Sequence, residues 1–84
     1  MKGDPAAAEL YREALEARRE TLGGRHPSTL WSMNNLGALL KAKGDLAAAE
    51  LLCREVLEGQ RETLGSRHPS TLYSIHNLGV LLSD

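Results

Sequence analysis

Apolar residues recur at three- and four-residue spacing along this chain, and that spacing predicts four helices. The first runs from about Pro5 to Leu22, with Leu10, Ala14, Ala17 and Thr21 on a narrow stripe that Tyr11, Leu15 and Leu22 widen. The second, from Pro27 to about Lys43, sets Leu30, Met33, Leu36, Gly37 and Leu40 on one face. The third, from about Leu46 to Leu64, carries a core stripe of Ala49, Leu52, Cys53, Val56, Leu57 and Leu64. The fourth, from Pro69 to about Leu82, repeats the second with Leu72, Ile75, Leu78, Gly79 and Leu82. No apolar alternation of period two is long enough for a strand. The punctuation agrees with these limits. Asp4 before Pro5 is a good N-cap, and proline suits a first helical position because its missing N–H would go unpaired there anyway. Gly23 and Gly24 end the first helix, and His26-Pro27 and His68-Pro69 open the second and fourth. Connections this short predict that successive helices pack antiparallel.

The helices come as two copies of one text. Residues 12–42 and 54–84 align at a shift of 42, and 21 of the 31 pairs are identical. A fixed period of this length implies a stacked helical repeat, in which each unit buries its apolar face against its neighbours. The copies fall out of step near the start, where the shift is 41 before Arg12 and 42 after it. One missing residue turns a helical face by about 100° relative to what precedes it. The start of the first helix therefore cannot pack as its counterpart in the third does. That slip reads either as the mark of a terminal unit or as a boundary of the chain, since Met1-Lys2-Gly3-Asp4 echoes Lys43-Gly44-Asp45.

Asn35-Leu36-Gly37-Ala38-Leu39-Leu40, with Lys43-Gly44-Asp45-Leu46 and Ala49-Glu50 following, resembles the tetratricopeptide repeat. The 42-residue period and the Leu-Gly-x-Arg-His-Pro linker look more closely like the long variant of kinesin light chains and related arrays. The resemblance implies an all-α fold, an antiparallel helix-hairpin repeat forming a fragment of an α-solenoid. The helix bearing Asn-Leu-Gly corresponds to helix A and the helix after Gly-Asp to helix B, so the order is B-A-B-A within a single domain, residues 1–84. The mid-helix glycines Gly37 and Gly79 each cost roughly 1 kcal/mol against alanine, which close approach of a neighbouring helix would offset. Cys53 stands where the family has an aromatic in helix B, and Tyr11 holds the matching place in the first copy.

Composition narrows the function. Ten Lys/Arg and eleven Asp/Glu are interspersed, giving a net charge of −1. No like-charged block offers a nucleic-acid arm. With Trp31, Tyr11 and Tyr73 as its only aromatics, the chain lacks a stacking platform for bases. No apolar run spans a bilayer, and the first residues lack a signal-peptide hydrophobic region. The single cysteine, Cys53, excludes an intrachain disulfide and points to a reducing compartment, hence the cytoplasm.

The candidate chemistry is thin. His26 and His68 are equivalent positions that read as helix-start residues, and no second ligand lies at a metal spacing from either. Cys53 on an apolar face reads as a small hydrophobe. The Glu and Arg residues of the first and third helices lie at ion-pair spacing on solvated faces. Neither a catalytic constellation nor a cofactor or metal site is expected, and the reading is non-enzymatic.

What remains is surface. The resemblance implies that helix A lines a concave groove for an extended peptide segment of a protein partner. One copy would offer Trp31, Asn34, Asn35, Ala38 and Lys41, and the other Tyr73, His76, Asn77 and Val80. In the family, the equivalents of Asn35 and Asn77 hydrogen-bond peptide backbone, and an asparagine amide suits this by both donating and accepting. Alternatively, Trp31 and Tyr73 pack against a neighbouring helix while the asparagines bond within the scaffold. A chaperone-type carboxylate clamp would need lysine at Asn34 and His76 and asparagine at Ala38 and Val80, and neither copy has them. Repeat arrays need about three units and polar caps for stability. The apolar Leu10, Leu15 and Leu22 at one end, and Leu78, Leu81 and Leu82 at the other, therefore predict self-association into a homo-oligomer. Head-to-tail stacking, or a two-fold dimer exchanging helices across Lys43-Gly44-Asp45, would satisfy both ends, with or without a groove ligand.

Overall fold

A computed structural model of the chain describes residues 5–83. Four helices follow in order: α1 (Pro5–Leu22), α2 (Pro27–Ala42), α3 (Leu46–Thr63) and α4 (Pro69–Ser83). There is no strand among the described residues. Asp4, the expected cap of α1, lies outside them. Each helix packs its backbone only on its sequence neighbours, α1 on α2, α2 on α3 and α3 on α4. This is the nearest-neighbour order of a repeat stack.

Local chemistry sets the helix limits. His26, in extended conformation before Pro27, caps α2 by accepting the Ser28 N–H on Nδ1 at 3.1 Å. His68 does the same for α4, accepting from Ser70 N–H at 3.0 Å. Asp45 Oδ1 accepts the Ala48 N–H at the start of α3. At the end of α2 the chain reverses through Gly44 at φ +91°, and Asp45 N–H donates to the Leu40 carbonyl at 2.9 Å. A side chain at that φ would be strained, which is why glycine stands there.

The core lies between α2 and its two neighbours. Thr29 and Ser32 face α1, where Thr29 Oγ1 donates to the Arg18 carbonyl and the Arg18 guanidinium donates to Ser32 Oγ. Leu30 and Gly37 face α3, next to Gly59 and to Ala49, Leu52 and Cys53. By helical spacing Met33 and Leu40 fall on the same side. α2 is thus buried on two faces at once. α4 is buried on one. Thr71, Ser74, Leu78 and Leu81 are closed over by α3, and Ser74 Oγ donates to Gln60 as its counterpart pairs with Arg18.

Several expected core and end positions lie elsewhere. Leu72, Ile75 and Leu82 of the predicted α4 stripe are 50%, 38% and 50% exposed, where their α2 counterparts Leu30, Met33 and Leu40 are 4%, 0% and 4%. No described helix lies on that side of α4. Conversely, Leu15, Leu78 and Leu81, expected as open self-association surface, are buried inside the chain. Leu15 closes against α2, and Leu78 and Leu81 against α3, the described helices on which the backbones of α1 and α4 pack. Leu10, Leu22 and Leu82 are exposed. On α1, Ala8 is buried and Leu10 exposed, as are Ala49 and Leu51 at the shift of 41, so these positions keep their counterparts' burial in spite of the one-residue slip. Leu64, the last residue of the α3 stripe, is also exposed.

The close helix approach falls at a different glycine from the two expected. A Cβ on Gly37 would sit at ordinary contact, 3.7 Å from Cys53 Sγ, and one on Gly79 would meet nothing within 4 Å. One on Gly59 would come within 2.8 Å of Leu30 Cδ2. The α3–α2 crossing is tightest there.

Candidate functional site

A groove of about 610 Å³ opens where the first halves of α2 and α4 face the last turns of α3. Each wall follows from the repeat. Pro27 and Pro69 start equivalent helices, so Trp31 and Tyr73 project from equivalent first turns on either side. Both rings are largely open, 62% and 61% exposed. They are therefore surface aromatics, and the reading that places them between packed helices does not describe this arrangement. Asn34 and Asn35 follow Trp31 on the same wall, and both are half-buried. Gln60 and Thr63 of α3, with Leu64 just past its end, close the far side. Among the described residues no acidic or basic side chain lines this groove.

A smaller groove of about 190 Å³ lies between α1 and α2, lined by Tyr11, Ala14, Arg18, Trp31, Ser32 and Asn35. Trp31 and Asn35 border both grooves and so form the ridge between them.

Of the nine groove candidates, the structure brings Trp31, Asn34, Asn35 and Tyr73 together. Ala38, Lys41, His76, Asn77 and Val80 line neither groove. They sit further along α2 and α4, and no described helix faces His76 and Asn77 as the end of α3 faces Asn34 and Asn35. Gln60, Thr63 and Leu64 lie at the end of the B-type segment, outside the helix A face that the family resemblance points to. The sequence carries one signal here, since Gln60 stands where the first copy has Arg18, and both residues pair with the serine of the following helix.

The remaining polar chemistry is structural. Arg19 donates to both oxygens of Glu55 at 3.1 and 3.2 Å, and Arg25 pairs with Glu62 at 3.0 Å, so two ion pairs tie the α1 end and the following turn to α3. Arg54 pairs with Glu50 along α3. Burial pushes the Cys53 thiol above its ordinary pKa, and nearby Lys41 offsets this only partly. A thiol so placed stays protonated and is a poor nucleophile near neutral pH. Among the described residues no group of three or more His, Cys, Asp or Glu could hold a metal ion. No helix among them is long and apolar enough to cross a membrane.

A family model described as Tetratricopeptide repeat matches residues 2–62, well over half of the 84. No curated protein matches the chain.

Proposed function

The chain belongs to the tetratricopeptide repeat family, and we propose that the groove between α2, α3 and α4 binds an extended, uncharged peptide segment of a protein partner. Tetratricopeptide repeats are non-catalytic scaffolds that mediate protein–protein interactions. The observation that carries the finer reading is a neutral groove flanked by two exposed aromatic rings, with amides along one wall. Trp31 and Tyr73 supply rigid apolar area that loses little entropy on binding. Asn34, Asn35 and Gln60 can donate to and accept from a peptide backbone in any sequence context. With no charged lining, affinity depends on apolar side chains of the ligand and changes little with salt. Within the family, the 42-residue period and the Arg-His-Pro linker support the long variant that resembles kinesin light chains. The single, half-buried, free cysteine supports a reducing compartment such as the cytoplasm.

The test is selection from a neutral peptide library followed by titration. Trp31→Ala and Tyr73→Ala each weaken the selected peptide at least about tenfold, as expected for aromatic anchors, while Arg54→Ala leaves it unchanged. Binding that survives both aromatic substitutions, or that collapses between 50 and 500 mM salt, would overturn the reading.

A further inference from the structure

We propose that the open face of α4 is a docking site for α1 of a second copy of this chain, in the register by which α3 docks on α2. The inference goes beyond the groove and does not depend on it. Its template is inside the molecule. α3 covers Leu30, Met33, Gly37 and Leu40 of α2, and the same face of α4 carries Leu72, Ile75, Gly79 and Leu82 with no described helix against it. From Arg12 onward α1 repeats the text of α3, and Ala17, the counterpart of Gly59, is exposed on it.

Charge fixes the register. Arg19–Glu55 and Arg25–Glu62 cross from one repeat to the next within the chain. Advancing each pair by one repeat places Arg61 opposite Glu13 of the second copy, and Arg67 opposite Glu20 of the second copy. Every residue type is conserved under that shift. None of these four side chains makes an ion pair or hydrogen bond with a described residue. Two complementary pairs thus stand ready at the two ends of one molecule. A two-fold dimer of α4 faces would leave Glu13 and Glu20, on α1 at the other end of the stack, away from these arginines.

The fit has one tight point. Ala17 brings a methyl where Gly59 has none, and by the α3–α2 contact it would meet the ends of two flexible side chains, Leu72 and Arg67, the counterparts of Leu30 and Arg25. Stacking also completes a groove. The second wall that His76 and Asn77 lack would come from Arg18, Thr21 and Leu22 of the second copy, as Gln60, Thr63 and Leu64 serve Asn34 and Asn35.

Sedimentation velocity over a concentration series tests the proposal, with circular dichroism confirming that each variant is folded. Wild type forms a concentration-dependent series of oligomers. Ile75→Asp removes the α4 face and Ala17→Glu the α1 face, so each variant alone is a monomer. Mixed, they form a one-to-one heterodimer and nothing larger, because each retains one complementary face. Arg67→Glu or Glu20→Arg alone weakens association a few-fold, and the double variant restores it. A wild type that stays monomeric at all concentrations overturns the proposal. So does an Ala17→Glu chain that still dimerises, which would mean a two-fold contact, or a charge reversal that the second change fails to rescue.

Discussion

α2 and α4 are nearly the same helix in two different places. They share the start Pro-Ser-Thr-Leu, a histidine cap before it, and Asn-Leu-Gly in the middle. α2 lies between two helices and is buried on both sides, so Leu30, Met33 and Leu40 are core. α4 has one neighbour, and Leu72, Ile75 and Leu82 face outward. Even polar detail diverges. Thr29 Oγ1 finds the Arg18 carbonyl, whereas Thr71 Oγ1 is buried with no hydrogen-bond partner among the described residues. Burial is therefore a property of what stands opposite a residue rather than of the residue. The same reasoning separates Trp31, which borders two grooves, from Tyr73, which lines one.

Paired substitutions can break or sharpen this contrast. The largest difference is expected between Met33→Ala and Ile75→Ala, measured by urea unfolding at low protein concentration. Truncating the fully buried Met33 costs about 2–5 kcal/mol. Truncating Ile75 costs less, about 1–2 kcal/mol, since 38% of it is already exposed. Equal losses would mean that α4 is covered even in the monomer. The threonines should differ in sign. Thr71→Val stabilises by about 1 kcal/mol by removing an unpaired buried hydroxyl, and Thr29→Val costs a similar amount by breaking a bond. The glycines come next. Gly79→Ala raises the melting point through a propensity gain of roughly 1 kcal/mol, because the methyl enters open space. Gly59→Ala yields no gain, since its methyl runs into Leu30.

The smallest effect is at Cys53, beside Gly37. Its folded pKa is raised, so its contribution to stability is present below the pKa of the unfolded thiol. That contribution is lost as pH rises through the folded value. Alkylation with iodoacetamide near pH 8 should be slower than for the urea-unfolded chain. Equal rates would show that the packing of α3 on α2 does not shield the thiol.

The four helices were legible because their signals are local. Proline after histidine, glycine after the last apolar turn and the Asp45 cap act within a few residues. The 42-residue echo guaranteed that both copies would use them alike. The wall of the groove formed by Trp31, Asn34, Asn35 and Tyr73 could be read for the same reason, since these residues share a helix face or an equivalent turn. Gln60, Thr63 and Leu64 were not legible because they reach the groove only through the α3–α4 crossing. Leu15, Leu78 and Leu81 were misplaced because a leucine pattern does not say which neighbour it meets.

The sequence by itself determined an all-α repeat, its helix limits, its period and the polar caps that hold each turn, all fixed by backbone chemistry over short range. Only the tertiary structure decided which of two similar apolar faces is core, which glycine lies under a neighbour and where the groove closes. Those outcomes depend on how many helices flank each element, and two segments with almost the same residues give different answers when one has two neighbours and the other has one.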